Sequence, residues 1–493
     1  MRYILNSREM ATADTNTINK HGVPSMVLME RAALAVVKHI DISKYNKIIV
    51  VCGTGNNGAD GLAIARLLWL KGADVAYTIV GDISKCSEQF GQQLSICKSY
   101  DIPSIADFEK IGDANLIIDA IFGIGLSRNL SVPYTTVIEK INVSNAKVIS
   151  VDIPSGLSAD DGKALGTPVK ADITVTFGFE KLGHYLLEAK KYCGRLFVED
   201  VGIDEKSLYD IVPKAYAFDA SDLNQLKEPG IFDHKMRRGR LLVIAGSADM
   251  EGAAYLSSKA AMKTGIGIVT IYTHESNVQT LHTQFPEAIV KGYKTVNVDE
   301  LTALMNNCDA ILVGPGLSTA TESVKIVETV LKYANCPMVI DADGLNIISQ
   351  NMRLLDGIHP DIIITPHIGE MSRIVNESGM YISEHLLDVA TEFANKYQIT
   401  VVLKDFVTIV AHPYMSTSVN TCGNKGMATA GCGDVLAGII AGLLAQGNSP
   451  VISSDAGVYI HSKAADDMVE YTGFRGLMAS DILNGIDGVL NEF

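Results

Sequence analysis

The sequence contains no Cys-x-x-Cys pair, no apolar run long enough to span a bilayer, no surplus of basic residues, and no repeat, low-complexity tract or heptad pattern. Each absence removes a class of protein. The eight cysteines, Cys52, Cys86, Cys97, Cys193, Cys308, Cys336, Cys422 and Cys432, are scattered singly, which argues against zinc sites and against a disulfide framework. A reducing cytosol is the simplest home for them. The longest apolar stretches, such as VLAGIIAGLLA, are short and broken by glycine, and the opening MRYILNSREMATAD has no apolar h-region. Neither a membrane span nor an export signal is expected. The formal net charge of −15 repels phosphate backbones and anionic membrane, so small molecules are the expected ligands. An anionic one would need local devices such as loop N–H groups, helix N-termini, metal ions or a few cations.

What is present is an ordinary globular composition, 47% hydrophobic and 20% charged, in a chain of 493 residues. That length exceeds what one core usually supports, so two domains are expected. After a polar, helix-like opening to about residue 40, the β-branched runs KIIVV, DVAYTIV, LIIDAI, KVISVDI, DITVTF and RLFVEDV alternate with helical patterns. Such alternation reads as a parallel sheet covered by helices, an α/β class. The rhythm loosens across residues 205–235, where a Pro-Gly pair intervenes, and a boundary is placed near residue 220. A second series follows: RLLVIAG, GIVTIYT, AILVGPG, PMVIDAD, DIIITPH and TVVLKD, a hairpin near VTIVAHPYMSTSVNT, and the helical DVLAGIIAGLLAQG. The expected domains are residues 1–218 and 225–493, each with strand ends that can host a ligand at a switch point.

The first strand run leads into VCGTGNNGADG, with Gly53, Gly55 and Gly58 in G-x-G-x-x-G spacing. A pyrophosphate loop keeps its helix entrance small and neutral, whereas here Asn56, Asn57 and Asp60 crowd it and Asp60 would repel phosphate. The acidic residue expected at the end of the second strand is also missing, since Asp74 precedes that strand and Asp82 lies well beyond it. An oxidoreductase-type dinucleotide site is therefore disfavoured. Two more strand ends carry oxygens to the same face: LIIDAIFGIG delivers Asp119, and KVISVDIPSG delivers Asp152 and Ser155. Asn57, Asp119 and Ser155 together suit a hard cation rather than zinc, leaving Asp152 as a base. The alternative is that Asp119 and Asp152 cap helices or bond loop amides.

GTGNNGADGLAIARLL, IIDAIFGIGL and SVDIPSGLSADDG resemble the epimerase half of the bifunctional NAD(P)H-hydrate repair enzymes, across most of residues 1–215. The resemblance implies a Rossmann-like three-layer domain that epimerises the C6 hydroxyl of hydrated NAD(P)H. It implies a potassium ion on Asn57, Asp119 and Ser155. The hydrate would lie against Asn56, Asn57, Gly58 and Asp60 and against Gly123, Gly125, Arg128 and Asn129, with Asp152 as acid/base. Ala59 stands where the family usually has glycine.

In NKGMATAGCGDVLAGIIAGLLAQG, Gly431 and Gly433 precede Asp434 at the entrance of a long apolar helix. The loop presents backbone N–H groups to a transferring phosphoryl group, and Asp434 is placed to take a proton from an attacking hydroxyl. The alternative is an Asp N-cap ahead of a core helix. GPGLS, IDADGLN with Asp341 and Asp343, TPHIGE with His367 and Glu370, and VLKDFVT with Lys404 supply further strand ends.

With HKMRRGRLLVIAGS and KTGIGIVTIYT, these pieces resemble the ribokinase-like dehydratase half of the same enzymes, over roughly residues 225–493. The resemblance implies phosphorylation of the stray hydroxyl of the S hydrate and elimination of phosphate. Gly265, Gly316, His367 and Asp434 would contact the hydrate. Lys404, Asp405, Phe406, Val407, Thr408 and Gly433 would contact the nucleotide, which is ADP in bacteria and archaea or ATP in eukaryotes. The fused order resembles the bacterial form, so ADP is expected, with Mg2+. Lys404 to Thr408 replace a KGAGT-like stretch, which puts Phe406 near the adenine. Asp434 would be the base. The partners expected are NADHX and NADPHX, an adenine nucleotide and further copies in a homo-oligomer, with no nucleic acid and no membrane. Two other readings stay open: a vitamin or sugar kinase in the second half, and a first half that only binds.

Overall fold

Residues 1–228, 230–357 and 361–491 are described by the structure, a computed structural model of the chain. Pro229, half of the Pro-Gly pair at the expected boundary, and the last two residues lie outside the described residues. The chain divides into two compact units, Tyr3–Ala215 and Tyr216–Phe493 with Met1–Arg2.

In the first unit β1 (Arg2–Leu5) runs parallel to β7 (Glu180–Lys181), pairing Leu5 with Lys181. The main sheet is made of β2 (Ile48–Cys52), β3 (Val75–Ile79), β4 (Leu116–Ala120), β5 (Lys147–Val151), β6 (Ile173–Phe177) and β8 (Arg195–Glu199). Its order is β3-β2-β4-β5-β6-β8, and all of these pairings are parallel. All of β2 is buried because successive side chains enter opposite layers. Ile48, Val50 and Cys52 pack with Leu62 and Leu68, whereas Ile49 and Val51 pack with Val137, Ile138 and Ile141. That is a three-layer α/β arrangement. The order reverses at β2, which opens a crevice beyond the carboxyl ends of β2 and β4. The expected helical opening is corrected at its start, since β1 is a four-residue strand too short to show a period. The helix Ser7–Asn19 then begins at a capping box in which Asn6 Oδ1 accepts from the Glu9 N–H and Glu9 Oε2 from the Asn6 N–H, each at 2.9 Å.

The short β9 (Ala215–Ala217) spans the division between units. The second unit holds β10 (Arg240–Ile244), β11 (Ile268–His274), β12 (Ile289–Tyr293), β13 (Ala310–Val313), β14 (Met338–Ile340), β15 (Ile362–Ile364), β16 (Thr400–Leu403), β17 (Ile409–Ala411) and β18 (Thr417–Val419). The order is β12-β11-β10-β13-β14-β15-β16-β17-β18, parallel as far as β16. The hairpin is present as antiparallel β17 and β18, pairing Ile409 with Val419. β12 is an addition to the expected series; its half-exposed IVKGY lacks a continuous apolar run, as befits an outer strand.

Helix Cys432–Ala445 is apolar all round and almost wholly buried, as a core helix must be. It runs parallel to helix Glu251–Lys263, with Gly438 against Ser257 and Gly442 against Ala261 and Thr264. A Cβ on Gly438 would lie 2.1 Å from the Ser257 carbonyl oxygen. Among the described residues no helix is long and apolar enough to cross a membrane.

Candidate functional site

Each unit gathers its polar side chains at strand ends. In the first, a cavity of about 610 Å³ is lined by the loops after β2, β4 and β5 and by helix Ser7–Asn19. Its size suits a small organic ligand. Asn56, Asn57 and Asp60 reach it from the first turn of helix Asn56–Leu70, and Gly123 and Gly125 from the loop after β4. Gly58 is buried behind them, because a Cβ there would sit 1.9 Å from the Gly53 carbonyl oxygen. Gly53 in turn donates to the Ala120 carbonyl at 3.0 Å and has no room for a side chain beside Ile121. Gly53 and Gly58 thus serve close backbone packing, whereas Gly55 has open space beside it and lines the cavity. Arg128 and Asn129 lie further along the loop, exposed, and are not part of the cavity wall.

Asp119 is fully buried within β4, and its carboxylate organises the neighbouring loops. Oδ1 accepts from Ser155 Oγ at 2.6 Å and the Ile121 N–H at 3.3 Å; Oδ2 accepts from Ser150 Oγ at 2.8 Å and the Ser155 N–H at 2.9 Å. Burial raises its pKa against these bonds. The Asn57 amide nitrogen is buried without a hydrogen-bond partner, and this side chain and Asp152 Oδ2 both face Gly123.

Asp152 follows β5 in a left-handed conformation, φ +70°, rare for a non-glycine and typical of a constrained site. Its Oδ1 accepts from Lys181 Nζ at 2.7 Å and Thr176 Oγ1 at 2.9 Å. Oδ2 points toward Gly123 in the cavity wall. Burial alone would raise this carboxyl, but the adjacent Lys181 ammonium, with His184 and the Thr176 hydroxyl, outweighs burial and holds it below the usual range. Lys181 is itself only 1% exposed. His184 closes the cluster: its Nδ1 accepts from the Lys181 N–H at 3.1 Å and its Nε2 meets the Asp152 carbonyl at 3.0 Å. Burial, with the Lys181 charge, depresses His184 to about 4, so the ring is neutral and donates from Nε2. Asp14 and Asp60 line the same cavity, and both are pushed upward, first by burial and then by Asp152. One ionised carboxylate therefore faces two biased toward the neutral acid, the pairing that acid–base chemistry needs.

In the second unit the ends of β13 to β16 converge. β14 is followed by Asp341, whose Oδ1 receives Lys404 Nζ at 2.9 Å from the end of β16. His367 ends the β15 connection as the N-cap of helix Ile368–Val375. Its Nδ1 accepts from the Gly369 and Glu370 N–H groups, and Glu370 Oε2 accepts from the His367 N–H at 2.9 Å. The imidazole is 55% exposed, and its Nε2 lies 3.4 Å from Glu370 Oε1. Gly433 lies beside Lys404 Nζ, which places the ammonium at the entrance of helix Cys432–Ala445 next to Asp434. Burial, reinforced by Asp341 and opposed by Lys404, lifts Asp434 to about 7; burial likewise lifts Glu370 to about 7. Burial would lower Lys404, but Asp341, Glu370 and Asp434 raise it, so it remains an ammonium. Cys432 packs against His461 Nε2 at 3.3 Å and is pushed up to about 11 by burial, an unreactive thiol.

Gly316, at φ +59°, packs on Met250 and Ala253 in the loop after β13. Asp405 meets Ser383 Oγ at 3.5 Å, Phe406 is 47% exposed, Val407 is buried, and the Thr408 carbonyl accepts from Asn420. Gly265 is a correction. It sits beside Thr264, which receives the Gln446 side chain, at the opposite end of helix Cys432–Ala445 from Asp434, a separation of about 20 Å for fourteen residues. There it lines a separate cavity of about 520 Å³ with Arg238 and Lys263.

The family models agree with this division. Residues 25–183 match the YjeF-related protein N-terminus, and residues 241–487 match NAD(P)H-hydrate dehydratase. Over 517 aligned residues the chain is 34% identical to a bifunctional NAD(P)H-hydrate repair enzyme of Moorella thermoacetica, covering 99% of this chain and 97% of the relative. The chain belongs to the family of bifunctional NAD(P)H-hydrate repair enzymes. A family member from Escherichia coli is 32% identical, covering 90% of this chain and 85% of its own. A ribokinase-like superfamily protein from Enterococcus faecalis superposes with a TM-score of 0.52 at 29% identity, covering 57% of this chain and 96% of its own. An ADP/ATP-dependent NAD(P)H-hydrate dehydratase from Bacillus subtilis, co-crystallised with ATP and Mg2+, gives a TM-score of 0.50 at 27% identity, covering 56% and 98%.

Sequence reasoning missed Lys181, Thr176, His184 and Asp14. Lys181 and His184 have a local signal: FEKLGH places a lysine and a histidine just after the β-branched run ITVTF, which itself contains Thr176. Asp14 has none, since it is one carboxylate on a polar helix and only the fold brings it to Asp152.

Proposed function

We propose that the first unit, as an epimerase domain over residues 1–218, interconverts the R and S hydrates of NADH and NADPH. The second, as a dehydratase domain over residues 225–493, converts the S hydrate to NAD(P)H, with ADP yielding AMP and phosphate. The observation that carries this reading is the opposite tuning of two aspartates in one chain: Asp152 held as a carboxylate by Lys181, and Asp434 poised near neutrality at a helix entrance.

The hydrate hydroxyl stands on a carbon bonded to the ring nitrogen. Epimerisation opens one bond at that carbon and re-forms it on the other face, with a proton removed and another returned. Asp152 Oδ2 takes the hydroxyl proton, while Asp60 and Asp14, biased toward the protonated form, are placed to return one. Asn57, Asp119 and Ser155 are proposed to hold a potassium ion; the buried Asn57 amide has no partner on its nitrogen, and its orientation can be reversed to offer oxygen there, while Ser155 Oγ already meets Asp119 at 2.6 Å. Bound there, the ion would supply fixed positive charge beside the hydroxyl.

In dehydration, Asp434 takes the proton of the same hydroxyl as its oxygen bonds to the β-phosphorus of ADP and AMP leaves. The Gly433 and Asp434 N–H groups, in the first turn after Gly431, steady the moving phosphoryl, and Lys404 adds charge. The ring nitrogen lone pair then expels phosphate, and loss of a proton from the adjacent carbon restores the double bond. Lys404, Asp405, Phe406, Val407, Thr408 and Gly433 are proposed to hold the nucleotide with Mg2+ on its phosphates; Gly316 and His367 are proposed to hold the hydrate.

The test supplies mixed R and S hydrates with ADP or ATP and follows the reduced-nicotinamide absorbance and orthophosphate together. Equal recovery of both, running to exhaustion of the mixture, is expected. A stable phosphorylated product without orthophosphate would make the second unit a kinase instead.

A further inference from the structure

Two cysteines stand apart from the other six. Cys308 and Cys336 have their sulfurs 3.7 Å apart, and no other two sulfurs among the described residues are in hydrogen-bond contact. They precede neighbouring parallel strands: Ile311 pairs with Met338, so two residues earlier Asp309 stands opposite Cys336, with Cys308 one step along. Spacings of about 4.8 Å between strands and about 3.3 Å along them put the two α-carbons about 6 Å apart. That lies inside the range a disulfide spans. Both side chains are partly exposed, unlike buried Cys52, Cys97, Cys193 and Cys432.

We infer that Cys308 and Cys336 are a reversible dithiol–disulfide site, modified by small-molecule disulfides such as oxidised glutathione. Cys308 Sγ lies 3.1 Å from the Met305 carbonyl, to which its S–H donates, and either sulfur can be the donor in the 3.7 Å contact; that contact lowers the Cys336 pKa and raises that of Cys308, so Cys336 is the attacking sulfur. Its thiolate bonds to one sulfur of the small disulfide, whose S–S bond breaks and releases one thiol. The Cys308 thiolate then displaces the second thiol from Cys336. The protein loses two hydrogens, and one small disulfide becomes two thiols. The bond would join the starts of β13 and β14, while Gly316 and Asp341 lie beyond their other ends.

The test incubates the full-length protein in a graded series of oxidised and reduced glutathione, alkylates the remaining thiols and maps peptides by mass. A Cys308–Cys336 cross-linked peptide is expected, reversed by dithiothreitol, with Cys86 and Cys422 alkylated throughout. The thermal midpoint should rise as the bond forms, because a closed loop restricts the unfolded chain. Cys308→Ser should hold a stable glutathione adduct on Cys336, and Cys336→Ser should leave Cys308 free. A map showing no cross-link, adducts alone in the wild type, or another cysteine pair joined under more reducing conditions overturns the inference. The wild-type map decides even if a variant fails to fold. None of these outcomes depends on which reaction the second unit catalyses.

Discussion

Asp152 and Asp434 are the same residue in opposite surroundings. Asp152→Asn removes the base of the first unit, so epimerisation should fall by about 10²–10⁴-fold while dehydration of purified S hydrate persists. Replacing Lys181 with methionine removes the main opposition to the burial of Asp152 and raises its pKa. The acid limb of the epimerase pH–rate profile should then move to higher pH; an unmoved limb would show that Lys181 only fills space. For Asp434 the sign is reversed. Its folded value of about 7 lies above the ordinary 3.8, so the folded chain holds an extra proton between them. Stability from this group is full below about 4 and is lost as pH rises through 7. Asp434→Asn should therefore abolish dehydration yet raise the melting midpoint above pH 7, by roughly 2–4 °C for each 1 kcal/mol recovered.

At the scale of elements, the seam between helices Glu251–Lys263 and Cys432–Ala445 sets two effects against each other. Alanine is favoured over glycine in a helix by about 1 kcal/mol. At Gly438 the new methyl meets the Ser257 carbonyl, and such overpacking costs about 1–3 kcal/mol. Gly438→Ala should lower the denaturant midpoint, whereas Gly488→Ala, with nothing within 4 Å, should raise it. The sheets were legible in the sequence because buried parallel strands are continuous β-branched runs, as in IIVVC and AILV. β1, β7 and β9, of two to four residues, were too short to carry a pattern, and half-exposed β12 mixed polar with apolar residues. Asp152 and Asp434 could be found at strand and helix ends. Lys181 could not be paired with Asp152, because their contact depends on β6 and β7 lying beside the β5 end. Gly265 was misplaced for the complementary reason: sequence order does not reveal which end of a strand a loop occupies.

At the scale of the whole chain, hydration produces both epimers, and a dehydratase accepting one hand would leave the other behind. In full-length Asp152→Asn, absorbance recovery from a mixture should therefore stop near the S fraction, apart from slow spontaneous epimerisation, and resume when wild-type first-unit activity is added as Asp434→Asn protein. No recovery after that addition would show that the two activities cannot be supplied by separate molecules. The closed seam at Gly438 and Gly442 also limits how this molecule can diverge. A saturation library at those two positions should return glycine alone, and wider choices should emerge only when positions 257, 261 and 264 are randomised in the same clones.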